Sequence, residues 1–233
     1  MRFYALFIAI ACLFAALGHY FDLPASSVVG EATVPPITIV IDAGHGGEDG
    51  GACTYGGLPE KELNLLIAHD LYCLLSASGI RAVMTRSEDV LLYDPNGDYK
   101  GHKKSMDLAA RLKIARETED GLLISIHMNA FPESKYGGLQ VYYSKNSPGG
   151  VTLASTVQSK NQKMLEPDND RKVKSAGQNI YLLDRYEKTG ILIECGFLSN
   201  PDDRDRLNDP TYRKKLATVI FYSIIQYISE GGR

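Results

Sequence analysis

Short runs of apolar, often β-branched residues alternate along the chain with longer stretches in which leucine and isoleucine recur at helical spacing. The short runs predict strands at residues 37–41, 80–85, 122–129, 139–143, 178–183 and 191–196. The periodic stretches predict helices at 59–78, after a capping Ser105, at 151–165, after Asn200-Pro201-Asp202, and at 212–228. Strands that alternate with helices indicate a single α/β domain, with a mostly parallel twisted sheet that carries helices on both faces. The run 139–143 alternates in polarity, which is typical of an edge strand.

Three of the predicted strands carry an ionisable residue at or just beyond their carboxyl end. The first strand is followed by Asp42-Ala43-Gly44-His45-Gly46-Gly47, and the strand 122–129 places Ser125, His127 and Asn129 on one face. The strand 191–196 contains Glu194 among apolar neighbours. Ligands of open α/β sheets bind beyond the carboxyl ends of the strands, and buried ionisable groups are costly unless they are paired or bind metal. We therefore predict a metal site, the alternative for His45 being a residue that only caps its turn.

The glycine-rich turn around His45 does not match the phosphate-binding motifs. The Walker pattern requires Gly-Lys-Ser/Thr, which is absent here. The dinucleotide fingerprint fails because Asp49 stands where the third glycine should be. The formal net charge of −3 over 233 residues gives no indication of a nucleic-acid partner. The cysteines Cys12, Cys53, Cys73 and Cys195 form no CxxC pair, so neither a zinc finger nor a redox motif is predicted.

The N-terminal segment differs from the rest of the chain. Arg2 precedes an apolar run from residue 3 to 18, whose length falls between a signal-peptide core and a membrane span. We predict a signal peptide or N-terminal membrane anchor over residues 1–23, a linker over 24–36 and a catalytic domain over 37–230, the alternative for the first segment being a buried core helix. Either main prediction exports the catalytic domain, to the extracytoplasmic face of the membrane or into the medium.

Zinc in hydrolytic sites binds three nitrogen or oxygen ligands of the protein and keeps a fourth position for water. His45 and His127 are the histidines that the predicted strands present, and a nearby carboxylate would complete the set. Glu60 and Glu62 both open the helix at 59–78, and their spacing does not decide between them. Glu194 would then act as general base and general acid; a fourth ligand or an ion-pair partner is the alternative role.

The long loop from residue 86 to 104 and the helix after it contribute further candidates. The loop carries Lys100, His102, Lys103 and Lys104, which form either a solvated basic face or a substrate contact. Arg111 on the following helix and Asn129 at the end of its strand are predicted to contact substrate.

Four blocks, in order along residues 37–228, resemble the signature blocks of zinc-dependent N-acetylmuramoyl-L-alanine amidases. They are Asp42-Ala43-Gly44-His45-Gly46-Gly47, Glu60-Lys61-Glu62-Leu63-Asn64-Leu65, Ser125-Ile126-His127-Met128-Asn129-Ala130 and Glu194-Cys195-Gly196-Phe197-Leu198-Ser199-Asn200. The resemblance implies that His45, Glu60 and His127 bind Zn²⁺, with Glu60 chosen because the ligand of this family directly precedes a lysine, and that Glu194 is the catalytic acid/base. The chain departs from many relatives in having Lys188-Thr189-Gly190 in place of a proline and Cys195 beside Glu194.

The resemblance also implies a substrate and a setting. These enzymes cut the amide between the lactyl group of N-acetylmuramic acid and L-alanine in peptidoglycan, and the short chain is most similar to the germination-specific branch of spore formers. That branch prepares spore cortex for muramic-δ-lactam formation, which implies the forespore intermembrane space as location and a lipoprotein or a deacetylase as partner. The alternatives are a peptidoglycan-binding or partner-dependent protein with little intrinsic activity, and a zinc peptidase that cuts within the stem peptide.

Overall fold

The computed structural model of the protein describes residues 37–53, 58–94, 96–97 and 100–232. The predicted N-terminal segment and linker lie outside the described residues. The strands are β1 (Thr38–Ala43), β2 (Ala82–Met84), β3 (Gly121–Asn129), β4 (Gln140–Tyr143), β5 (Lys174–Ser175) and β6 (Gly190–Phe197). The helices are α1 (Glu60–Ala77), α2 (Lys103–Glu117), α3 (Gly149–Met164), α4 (Tyr181–Arg185), α5 (Pro201–Asn208) and α6 (Pro210–Ser229). Among the described residues there is no helix with the length and hydropathy that a membrane span requires.

The described strands form one sheet in the order β2-β1-β3-β6-β4-β5. The strands β2, β1, β3 and β6 are mutually parallel, and β4 runs antiparallel to β6. The predicted α/β class with a mostly parallel sheet is therefore confirmed. The crossovers bring the carboxyl ends of β1, β3 and β6 side by side at one edge of the sheet, where the polar residues of these strands lie.

Two predictions about strands were wrong. The strand β4 is not an edge strand, because the short β5 pairs with its outer side at Tyr142 and Tyr143. The apolar run at 178–183 does not form a strand, since residues 181–185 form the helix α4, which turns Leu182 and Leu183 into the core. A short apolar run does not distinguish a strand from one buried helical turn.

Helices cover both faces of the sheet, as predicted, and each face has its own apolar cluster. The larger cluster joins α1, α3 and α6 to one face, and the smaller cluster joins α2 and α4 to the other. Alternation along β3 assigns Ile124 and Ile126 to the larger cluster and Leu123 to the smaller one. Ser125 and His127 share the face of Leu123, and beyond the end of the smaller cluster this face becomes polar.

The predicted helix start is confirmed for α5 and wrong for α2. Asn200 caps α5, because its Oδ1 accepts a hydrogen bond of 3.0 Å from the backbone N–H of Asp203, and Pro201 occupies the first turn. Ser105 was predicted to cap α2 but lies inside that helix, where its hydroxyl donates to the carbonyl of His102 over 2.8 Å. The helix α2 thus begins three residues earlier than a cap at Ser105 would place it, with His102 in the N-cap position.

Candidate metal centre

The turn after β1 holds His45 in a conformation that few non-glycine residues adopt. The backbone φ of His45 is 59°, in the left-handed region. Two buried arginines support the turn: Arg86 donates to the carbonyls of Ala43 (2.8 Å) and Gly44 (2.9 Å). Arg111 donates to the carbonyls of Ala43 (2.6 Å) and His45 (2.7 Å). The carbonyls of three consecutive residues are therefore held by guanidinium groups, which stabilises the strained turn.

His45, Glu60 and His127 bring one nitrogen or oxygen atom each to a common point. The Oε1 atom of Glu60 lies 3.2 Å from Nε2 of His45 and 2.9 Å from Nδ1 of His127. The donor atoms of the three residues all lie within 4.8 Å of one another. The residues come from the turn after β1, the first turn of α1 and the end of β3, so the assembly depends on the tertiary fold. We call these three residues the donor triad.

Backbone N–H groups hold the carboxylate of Glu60 in place. The amide of Ala52 donates to Oε2 over 2.7 Å, and the amide of Met128 donates to Oε1 over 3.0 Å. The side chain of Asn64, one helical turn further along α1, donates to the carbonyl of Gly44. Glu62, the rival candidate from spacing, is exposed and has no place in this group.

The pKa values of Glu60 and His45 are shifted so that both charged forms are favoured. Burial raises the pKa of Glu60, but hydrogen bonds and charge interactions with His127 and His45 outweigh it and hold that pKa well below its usual range. Burial lowers the pKa of His45, whereas Glu60 and Asp49 raise it, and the net shift is upward. Asp49 Oδ2 lies 2.8 Å from Nδ1 of His45. A carboxylate behind one ring nitrogen orients the imidazole so that the other nitrogen points to the ligand position.

The donor triad fits a zinc ion. Ligands of a tetrahedral zinc ion with bonds of about 2.0–2.1 Å are about 3.3 Å apart, close to the two donor separations measured to Glu60. Two histidine nitrogens and one carboxylate oxygen form a ligand set of catalytic zinc sites that leaves one position open. Glycines allow the close approach: a Cβ on Gly51 would lie 2.5 Å from Oε2 of Glu60 and 2.8 Å from Cδ2 of His45.

Gly44 makes the position of His127 sensitive to a single methyl group. A Cβ at Gly44 would lie 2.2 Å from Cε1 of the His127 ring, which no real contact tolerates. In the variant Gly44→Ala the ring must move, so we expect zinc affinity to fall about 10- to 100-fold, as for loss of a group that orients a ligand. Competition titration against a zinc-binding dye measures the affinity. Unchanged affinity in the folded variant would contradict this packing.

Glu194 lies beside the triad on β6. It is the register partner of His127 on the adjacent parallel strand β3. Its Oε2 atom is buried and has no hydrogen-bond partner among the described residues. Burial, the largest cause, raises the pKa of Glu194 to about 7; the charge of His127 lowers it and that of Glu60 raises it. A carboxyl group with a pKa near neutrality, and with one oxygen left unbound, is suited to proton transfer.

Arg111 is not placed to contact a substrate, contrary to the prediction. Its side chain is 2% exposed. Besides the two carbonyls of the turn, its guanidinium contacts Oδ1 of Asp42 (2.9 Å) and Oδ2 of Asp107 (2.7 Å). All its nitrogens therefore have partners inside the protein, and the residue acts by holding the turn that carries His45.

The other predicted residues are distributed as follows. Asn129 ends β3 after a register irregularity and is half-buried, so its substrate contact stays a prediction. Cys195 is buried in the larger apolar cluster, and its side chain lies on the strand face opposite to that of its neighbour Glu194. Of the basic cluster, Lys103 and Lys104 lie in α2; Lys103 Nζ is 2.7 Å from Oε1 of Glu48, and Lys104 Nζ is 3.7 Å from Oδ2 of Asp49.

Sequence reasoning missed Asp42, Asp49, Asn64 and Arg86 as supports of the site. Asp42 is buried and accepts from Thr85 (2.8 Å) and Ser125 (2.7 Å) as well as from Arg111. Burial raises the pKa of Asp42, but Arg111 and the other partners lower it below its usual range. Helical spacing could have identified Asn64, because it lies four residues after Glu60 on the same face of α1.

The variant Arg111→Met tests the support of the turn. Removing the guanidinium leaves the buried carboxylates of Asp42 and Asp107 without their partner, so we expect the free energy of unfolding to fall by about 3–5 kcal/mol. The matched control is Arg116→Met, whose exposed pair with Glu187 should contribute about 1 kcal/mol or less. Urea denaturation measures both variants. Equal stability of the two would contradict the structural role of Arg111.

Comparison with known proteins shows which proteins this chain is similar to. The N-acetylmuramoyl-L-alanine amidase family matches residues 39–226. The germination-specific N-acetylmuramoyl-L-alanine amidase of Bacillus subtilis (strain 168) is 37% identical over 194 residues, which cover 83% of this chain and 81% of that protein. The structure of the CwlD amidase from Clostridioides difficile in complex with the GerS lipoprotein superposes with a TM-score of 0.78 at 37% identity, covering 83% of this chain and 98% of that one. The structure of the amidase AmiC2 of Nostoc punctiforme superposes with a TM-score of 0.71 at 29% identity, covering 83% of this chain and 98% of that one.

Proposed function

The chain belongs to the N-acetylmuramoyl-L-alanine amidase family, and from this premise we propose that it is a zinc enzyme whose donor triad and Glu194 perform the hydrolysis. As an amidase of this family it acts on peptidoglycan. The bond cut is the amide between the lactyl group of N-acetylmuramic acid and L-alanine. The observation that carries the zinc proposal is the convergence of two imidazole nitrogens and one carboxylate oxygen within 4.8 Å.

His45, Glu60 and His127 would hold the zinc ion. When bound there, zinc polarises a carbonyl oxygen and lowers the pKa of water. The chain's own contribution is the placement of the donors: Asp49 orients His45, and the amides of Ala52 and Met128 hold Glu60.

Glu194 would carry the proton during the reaction. Its unbound Oε2 accepts a proton from the attacking water and then gives it to the nitrogen of L-alanine as the C–N bond breaks. The products are a free lactyl carboxylate and a stem peptide with an amino terminus at L-alanine. A pKa near neutrality lets one carboxyl group serve as both base and acid.

The biological setting is the second part of the proposal. Similarity to the germination-specific amidase of Bacillus subtilis supports a role in spore cortex maturation that leads to muramic-δ-lactam. Peptidoglycan lies outside the cytoplasmic membrane, so the catalytic domain works on the extracytoplasmic side, and for a spore former we propose the forespore intermembrane space. Residues 1–23 would serve as signal peptide or anchor and 24–36 as linker to the catalytic domain 37–230.

A lipoprotein is the partner that the comparisons favour. The CwlD amidase of Clostridioides difficile was solved in complex with the GerS lipoprotein, and this chain is similar to that amidase over 98% of its length. We propose that the protein binds a lipoprotein of this kind. A deacetylase that modifies the exposed muramic acid is the other partner that the δ-lactam role implies.

The products of digestion test the proposed reaction. The purified protein is incubated with spore cortex and vegetative peptidoglycan, with and without zinc, and the products are identified by mass spectrometry. We expect stem peptides that begin with L-alanine, and a chelator should abolish them. Cleavage within the stem peptide would instead indicate a zinc peptidase. Absence of cleavage with zinc bound would favour a binding or partner-dependent protein.

A further inference from the structure

An exposed pair of aromatic residues lies in the loop that follows β3. Phe131 is 47% exposed and Tyr136 is 38% exposed. Their ring centroids are 5.1 Å apart with perpendicular planes. We call these two residues the aromatic platform. Single exposed aromatics are ordinary, but two in contact form one continuous apolar area against which a ligand can pack.

The loop is fixed to the sheet edge that carries the donor triad. The backbone N–H of Phe131 donates to Oγ of Ser199 over 3.0 Å, and Nδ2 of Asn200 donates to the carbonyl of Ser134 over 2.8 Å. The loop begins directly after the strand of His127, and its anchors follow Glu194 by a few residues. These hydrogen bonds therefore order the platform beside the candidate site before a ligand binds, which reduces the conformational entropy that the loop loses on binding.

A polar cleft of about 600 Å³ adjoins the platform and has Tyr136 in its wall. The cleft is also lined by Lys135, Asn169, Arg171, Asn200 and Asp202. Five carboxylates line the cleft, those of Glu166, Asp168, Asp170, Asp202 and Asp203, together with the cations of Lys135, Arg171 and Arg206, so hydrogen-bond acceptors outnumber donors there. Such a lining suits a ligand that carries many O–H and N–H donors, as hydroxyl and acetamido groups do.

We propose that the aromatic platform and this cleft bind the glycan strand of peptidoglycan on one side of the muramic acid whose amide is cut. A pyranose ring exposes C–H groups on its face, and these pack on an aromatic ring, while hydroxyl and acetamido groups form hydrogen bonds in the cleft. This inference rests on the proposed function, because the muramic acid of a polymer is flanked by further sugars that must pass the mouth of the site.

Co-sedimentation tests the proposal without catalysis. The protein with the double substitution Phe131→Ala and Tyr136→Ala is mixed, in the presence of a chelator, with purified glycan strands from which stem peptides have been removed. We expect about a three- to tenfold loss of affinity relative to the unsubstituted protein. The matched control is Tyr222→Ala on α6, which removes an aromatic side chain that is 52% exposed and should not change binding.

The pattern of results separates this proposal from the zinc amidase proposal. Undiminished binding of the double variant to peptide-free glycan would overturn it, as would a loss seen only with intact peptidoglycan, which would indicate peptide recognition. A normal glycan affinity with lost response to a protein partner would also overturn it. For the metal-loaded enzyme we expect KM for long strands to rise and KM for a muramoyl peptide with one sugar to stay unchanged. Failure of all turnover would count against the zinc reaction and leave the binding result valid.

Discussion

Replacing Glu194 with glutamine will leave zinc bound and reduce kcat by about 10²- to 10⁴-fold, the range for loss of a general acid–base group. Glutamine keeps the shape of the side chain but cannot accept a proton from water or return it to the leaving amine. The register pairing of Glu194 with His127 places it next to the donor triad, but it contributes none of the three converging atoms. Zinc content should therefore equal that of the unsubstituted protein.

Steady-state kinetics on a soluble muramoyl peptide, together with metal analysis of the same sample, measure both effects. The matched control is Glu62→Gln, since Glu62 is an exposed carboxylate in the same block as Glu60 and should be dispensable. Turnover near the unsubstituted level in Glu194→Gln would remove Glu194 from its role. Loss of zinc in that variant would identify it as a ligand instead.

Replacing His127 with alanine will remove both zinc and activity. One of the three donor atoms disappears, and the carboxylate of Glu60 loses the imidazole that lies 2.9 Å away. We expect kcat/KM to fall by about 10³-fold or more, because a metal that acts as Lewis acid supplies several kcal/mol of transition-state stabilisation.

Metal analysis after dialysis and the same kinetic assay follow the two losses. The matched control is His102→Ala, an exposed histidine at the start of α2 whose removal should change neither quantity. A full zinc complement in His127→Ala would contradict its assignment as a ligand, whatever its activity.

The positions of His45, His127 and Glu194 at one sheet edge were predictable from the sequence. His45 follows an apolar strand, whereas His127 and Glu194 lie in the carboxyl-terminal halves of theirs, and parallel strands end at the same edge of a sheet. The alternation along β3 also separated His127 from Ile126 correctly. These signals are local in the chain, because each depends only on the residues of one strand and of the turn that follows it.

Local sequence patterns did not decide whether Glu60 or Glu62 is the third candidate ligand. Two residues turn a helix by about 200°, so only one of the two glutamates can face β1, but the spacing does not say which. Resemblance to the family indicated Glu60, and the structure buries Glu60 between the two histidines and exposes Glu62.

Neither the residues that support the metal site nor the pairing of β4 with β5 was predictable from the sequence. Arg111 reads as a surface arginine on a polar helix, and only tertiary packing brings Asp42 from a distant strand to its guanidinium. The pairing of β4 with β5 joins residues that lie about thirty positions apart, and no local pattern specifies such contacts. Tertiary context likewise decided that residues 181–185 form a helix.

The location of zinc in crystals of the protein tests the proposed metal site most directly. Anomalous diffraction data are collected on both sides of the zinc absorption edge after soaking at a zinc concentration close to that of the protein. We expect one strong peak at about 2.0–2.2 Å from His45 Nε2, Glu60 Oε1 and His127 Nδ1, with Glu194 outside the coordination shell. A peak elsewhere, or none at the donor triad, would contradict the proposed metal site.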